Sequence, residues 1–292
     1  MSVYKHYNQE QLNDQYNTRL QVPDYASYFD RWERLSRQTA EQNTMLKDIP
    51  FGAHPEERLD IFPSKNLHSK TLVFIHGGYW HLLDKSMFHF LAGHFLKNNV
   101  TTVLINYPLA PQASIDEIGV SCRKALQWLH DNIIDYNGDP TELYLMGHSA
   151  GGHLVSMLLS EEEAKFVRAA ISLSGLFRLE PVMLSYLNDS IGMDRENALN
   201  NSSVFLNPAG DCRLLLVTGT DESDEFKAQG EELYNNWKSK CSHIEYLEVP
   251  QKNHYSILDA VIEKDSSLQS AIIRLMNIDP ENEQSAVKPI KS

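Results

Sequence analysis

Along residues 69 to 250 apolar positions follow two alternating periods. Short β-branched or apolar runs stand at 71–75 (TLVFI), 101–105 (TTVLI), 142–146 (ELYLM), 169–173 (AAISL), 213–218 (RLLLVT) and 244–249 (IEYLEV). Each is too short for a helix and meets Gly, Asn or Pro within two residues, which predicts strands. Longer stretches with apolar residues three or four apart lie among them, at 88–98, 116–134, 153–159 and 226–239, and a last one at 257–275 follows the final strand. In 116–134, Ile118, Cys122, Leu126, Leu129 and Ile133 share one face, as an amphipathic helix requires. A further strand pair is predicted at 45–50 and 58–62. Residues 1–50 are polar and aromatic, with Tyr28, Trp32 and Leu35 at helical spacing, and read as a helical covering segment.

Alternation of this kind predicts an α/β fold, a mostly parallel central sheet with helices on both faces. The expected organisation is one domain over 1–278, with no internal repeat, and a polar, mobile tail over 279–292. In such sheets ligands gather at the carboxyl ends of strands. Four chemically suggestive segments fall there: HGGYW at 76–80, NYP at 106–108, GHSAGG at 147–152 and the acidic TDESDE at 220–225.

Composition narrows the partners. Of 292 residues 42% are hydrophobic, enough for one large core, and the net charge of −13 disfavours nucleic acid and anionic membrane surfaces. Three widely spaced cysteines, Cys122, Cys212 and Cys241, form neither a disulfide framework nor a metal motif, so no metal and no cofactor is expected. The first twenty residues lack the apolar core of a signal peptide, and no window approaches the roughly 18 apolar residues of a membrane helix; a cytoplasmic protein is the expectation. The oligomeric state is left open, and a homodimer is compatible with the sequence.

The glycines around Ser149 do not make a phosphate loop, because the G-x-x-x-x-G-K-[ST] pattern is missing. They make G-x-S-x-G (Gly147, His148, Ser149, Ala150, Gly151), in which small residues relieve crowding at a sharp strand-to-helix turn and expose the serine oxygen. A serine nucleophile needs a base, and the base an orienting acid. Two histidines follow the acidic loop. His243 opens the last strand, at the wrong sheet edge, whereas His254 follows that strand and can reach Ser149. Asp221 and Glu222 stand nearest the strand end as acids, and residue chemistry alone leaves the choice between them open. The Gly-Gly turn after 71–75 offers main-chain N–H groups at Gly78 and Tyr79, joined by that of Ala150, for an oxyanion. Tyr79 and Trp80 are read either as an aromatic wall for substrate or as core packing.

Taken together, HGGYW, NYPLAP (106–111), GHSAGG and the DESDEF loop (221–226) resemble the α/β-hydrolase fold, specifically its kynurenine formamidase (arylformamidase) branch near the hormone-sensitive-lipase-like esterases. Residues 12–25 (LNDQYNTRLQVPDY) and 173–182 (LSGLFRLEPV) are similar to the bacterial members. The resemblance implies Ser149 as nucleophile, His254 as base, and Gly78 and Tyr79 as oxyanion donors. It places the acid three residues beyond Gly219, on Glu222, although the family commonly has Asp, which keeps Asp221 as rival. Arg178 replaces a family Asp near the expected substrate entrance. The implied activity is metal-independent hydrolysis of an aryl formamide such as N-formylkynurenine. A carboxylesterase for small aryl or short acyl esters is the alternative, and a non-catalytic binding protein on a hydrolase fold the remote one.

Overall fold

A computed structural model describes residues 1–278; the tail expected over 279–292 lies outside the described residues. Within them the strands are β1 (Leu46–Pro50), β2 (Arg58–Phe62), β3 (Ser69–Ile75), β4 (Thr101–Ile105), β5 (Gly138–His148), β6 (Val167–Leu173), β7 (Arg213–Gly219) and β8 (His243–Val249). They form one sheet in the order β1-β2-β4-β3-β5-β6-β7-β8. β1 and β2 pair antiparallel, and β2 runs antiparallel to β4. From β4 to β8 every pairing is parallel.

The helices are α1 (Gln9–Tyr16), α2 (Thr18–Gln21), α3 (Tyr25–Gln42), α4 (His89–Lys97), α5 (Ile115–Asn132), α6 (Ala150–Leu158), α7 (Glu180–Met183), α8 (Asn188–Ile191), α9 (Arg195–Asn200), α10 (Asp224–Trp237), α11 (Ser256–Ile262) and α12 (Ser267–Met276). Side chains alternate across the strands and feed two cores. Val73, Ile75, Leu145 and Leu216 face the layer of α5, α6 and α10. Leu72, Phe74, Met146 and Val217 face that of α3, α4, α11 and α12. The amino-terminal segment spans both layers: Leu12 and Tyr16 of α1 enter the first core and Trp32 of α3 the second.

One element departs from the periodic reading. The stretch 257–275 is two helices, because the chain is extended at Glu263 and the Ser266 side chain accepts the Gln269 N–H, starting α12 afresh. The helix leaving the serine turn, which the stretch 153–159 continues, begins at Ala150. Residues 176–206 hold the short helices α7 to α9, too brief to show a period.

The crossing from β5 into α6 leaves no room for side chains. A Cβ on Gly147 would stand 2.2 Å from the Gly151 carbonyl oxygen, a backbone atom that cannot move aside cheaply. Gly147→Ala is therefore expected to lower the urea unfolding free energy by about 3 kcal/mol. In α5, Gly119 has only the tip of Arg123 near the same position, at 3.9 Å, so Gly119→Ala should raise stability by about 0.5–1 kcal/mol. Equal stabilities for the two variants would refute this account of the crossing.

Candidate active site

The site assembles where β3, β5, β7 and β8 end. β5 delivers Ser149 into a turn with φ 57° and ψ −119°, a conformation that L-residues adopt only under constraint. The constraint is visible: the Ser149 N–H donates to the Leu173 carbonyl at the end of β6, 2.8 Å away, and α6 starts at the next residue. The hydroxyl is thereby turned away from the sheet toward the loop after β8.

That loop carries His254, whose Nε2 lies 3.0 Å from Ser149 Oγ. Its Nδ1 lies 2.8 Å from Glu222 Oε2. The pairing assigns the proton to Nδ1, leaving Nε2 to accept from the serine. Glu222 is itself fixed, since its Oε1 accepts from Ser174 Oγ at 2.5 Å and from the Gly219 N–H at 2.8 Å. Asp221 is exposed and meets Thr220 instead, so the carboxylate brought to the histidine is that of Glu222. His243 is exposed at the start of β8, at the far end of the strand.

The turn after β3 lies against the serine: a Cβ on Gly77 would stand 2.9 Å from that of Ser149. Gly78, Tyr79 and Trp80 all have positive φ, at 100°, 48° and 60°. At Gly78 a Cβ would also meet the Leu82 carbonyl oxygen at 2.2 Å, so both its angle and its space require glycine. Among the described residues no main-chain hydrogen bond starts from the N–H of Gly78, Tyr79 or Ala150. The NYP segment braces this turn: Tyr107 stacks on the His76 ring at 4.5 Å and its hydroxyl donates to the His76 carbonyl at 2.8 Å.

Ser149, His254, Gly78 and Tyr79 open on one cavity of about 170 Å³. Its walls include Phe29, Trp32, Phe88, Tyr186, Leu187 and Tyr255. Trp80 does not line it, which corrects the reading of that residue as substrate wall. Trp80 is fully buried, its indole N–H donating to His153 Nδ1 at 3.2 Å, while His153 Nε2 donates to the Asn201 carbonyl. Arg178 also stays outside the lining: it pairs with Glu232 of α10 and lies over the Phe205 ring at 4.6 Å. Three contributions escaped the sequence reading. Ser174 carried only the signal of its place at a strand end, Tyr186 and Leu187 carried none, and the wall from α3 showed only as helical spacing. Among the described residues no three of His, Cys, Asp and Glu are grouped as a metal site needs, and no helix is long and apolar enough to cross a membrane.

Several known proteins are similar to this chain in sequence or in fold. The BD-FAE family profile matches residues 59–186. A kynurenine formamidase from Danio rerio is 29% identical over 243 residues, covering 79% of this chain and 82% of its own. That of Salmo salar is 28% identical over 244 residues, with the same shares covered. The solved structure of a candidate thioesterase from Silicibacter sp. TM1040 superposes with a TM-score of 0.80 at 24% identity, over 90% of this chain and 98% of its own. The chain has the α/β-hydrolase fold.

Several histidines of this fold are structural. Burial pushes the His76 and His153 imidazoles down to about 4. His148, whose Nε2 donates to the His254 carbonyl at 2.8 Å, is also held well below its ordinary value by burial and by the neighbouring His254. As pH falls, the unfolded chain takes up these protons first. For His153, with about 4 folded against 6.5 ordinarily, stability is complete above about pH 6.5 and is lost downward to about pH 4. The loss amounts to about 1.4 kcal/mol per pH unit for each such group. Urea titrations between pH 6 and 5 should show a pH slope for His153→Gln smaller than that of the parent by about one proton; an unchanged slope would contradict the neutral, buried imidazole.

Proposed function

We propose that this hydrolase cleaves an aryl formamide, with N-formylkynurenine as substrate and kynurenine and formate as products. The observation that carries the reading is the unbroken chain Glu222–His254–Ser149, at 2.8 and 3.0 Å, opening on an aromatic cavity. The name of the fish relatives supplies the substrate.

Ser149 Oγ attacks the formyl carbon as His254 Nε2 takes its proton. Negative charge gathers on the formyl oxygen, for which the N–H groups of Gly78, Tyr79 and Ala150, without main-chain partners, are the donors in this reading; each such donor is worth about 3 kcal/mol. The imidazolium, stabilised by Glu222, passes its proton to the anilide nitrogen, the C–N bond breaks, and the arylamine leaves a formyl-Ser149 ester. His254 then deprotonates a water that attacks this ester. The proton returns to Ser149 Oγ, and formate departs. The formyl group is a single carbon, so nearly all of the cavity is left for the aryl leaving group, which suits walls of Phe29, Trp32, Phe88 and Tyr255.

With N-formylkynurenine, followed by appearance of kynurenine, Ser149→Ala should lower kcat by ~10⁴-fold or more and Glu222→Gln by ~10³-fold or more. Asp221→Asn should stay within about twofold of the parent, since its side chain is outside the site. Negligible cleavage of the formamide beside fast turnover of a p-nitrophenyl ester would replace this reading with the carboxylesterase one. Full activity in Ser149→Ala would remove both.

A further inference from the structure

The cavity is lined by apolar and neutral polar side chains, with one exception. Arg19 of α2 stands at its exposed rim, and no carboxylate is among the lining residues. Among the described residues Arg19 forms no ion pair and donates no hydrogen bond; its guanidinium only lies over the Tyr25 ring, 5.2 Å from the centroid. The ring contact uses none of the guanidinium N–H donors, so the donors that receive a carboxylate remain without partners. In a chain of net charge −13, a solvent-facing arginine has many acidic side chains it could have met. Here it faces the cavity instead.

The backbone under Arg19 is tied to the reacting centre on both sides. Thr18 Oγ1 and the Tyr255 hydroxyl are hydrogen-bonded at 2.9 Å, which joins α2 to the residue after His254. The Tyr79 hydroxyl donates to the Tyr16 carbonyl at 2.7 Å, which joins the end of α1 to the oxyanion turn. Between them Asn17 caps α2, its side chain accepting the Leu20 N–H. The backbone that carries Arg19 is therefore anchored to the reacting centre, as a specificity determinant needs. Neighbouring groups do not compete for its charge: burial, with a smaller effect of Arg19 itself, lowers the affinity of His81 for a proton, and burial keeps the Tyr186 phenol neutral.

We infer that Arg19 receives a carboxylate carried by the leaving group of the substrate, so that the site selects acylated arylamines with an anionic group at the end remote from the scissile bond. The inference rests on the proposed reaction and narrows its substrate class. A compound filling the cavity from Ser149 to the rim places its acyl carbon on the serine and its carboxylate on the guanidinium, a charge-assisted and bidentate contact.

The test compares N-formylkynurenine with 2′-formamidoacetophenone, the same aryl formamide without the amino-acid side chain. Its binding counterpart compares L-kynurenine with 2-aminoacetophenone by calorimetry, which does not depend on turnover. The parent is expected to favour the carboxylate-bearing member of each pair. In Arg19→Gln the ratio of kcat/KM values and the ratio of Kd values should each fall about tenfold, the kinetic change lying in KM, and Arg19→Lys should recover part of it. Ratios that are the same in Arg19→Gln as in the parent would overturn the inference. If the parent cleaves neither formamide, the proposed reaction fails, and the calorimetric ratio still decides the role of Arg19.

Discussion

Everything at the site depends on the turn at Ser149. A residue with a side chain is held at φ 57° because the strand before it and the helix after it leave the chain no longer path. Such a conformation costs on the order of 1–3 kcal/mol, offset by the surrounding packing. The glycines of the motif allow the helix to press against the strand ends, and the Ser149 N–H is secured on β6. The outcome is a hydroxyl with a fixed direction. Histidine and oxyanion turn need only be brought to it.

They are brought by three loops that brace one another. Glu222 is held by Ser174 and Gly219 before it meets His254, so the acid is positioned by the ends of β6 and β7. The His254 carbonyl accepts from His148, tying the base to the residue beside the nucleophile. The turn with Gly78 and Tyr79 rests on Tyr107 below and on Tyr16 above. The amino-terminal segment therefore does more than cover a core, because α2 and α3 line the cavity and Phe29 and Trp32 supply part of its aromatic wall.

The strands were legible because each is a short apolar run cut off by Gly, Asn or Pro, and the parallel sheet followed from their alternation with helical periods. Ser149, His254, Gly78 and Tyr79 were legible as strand-end residues once the sheet was drawn, since topology alone carries such residues to one edge. The choice of Glu222 over Asp221 was not open to the residues themselves. Adjacent carboxylates point differently, and only the Gly219 N–H and the Ser174 hydroxyl select one. Trp80 misled because aromatic residues beside a reactive turn look alike whether they face substrate or the His153 imidazole beneath it. Tyr186 and Leu187 lie between helices of four residues, where no period develops. Arg19 lies in a polar stretch with nothing in its spacing to mark it.

The central claim is that Ser149 is a nucleophile activated by His254 over a prepared oxyanion site. Treatment with a fluorophosphonate followed by intact-mass measurement and peptide mapping tests it most directly, because such reagents react at neutral pH only with an activated hydroxyl. One adduct per chain, mapped to Ser149 and lost in His254→Ala, is the predicted result. An unmodified chain, or an adduct on another residue, would contradict the account.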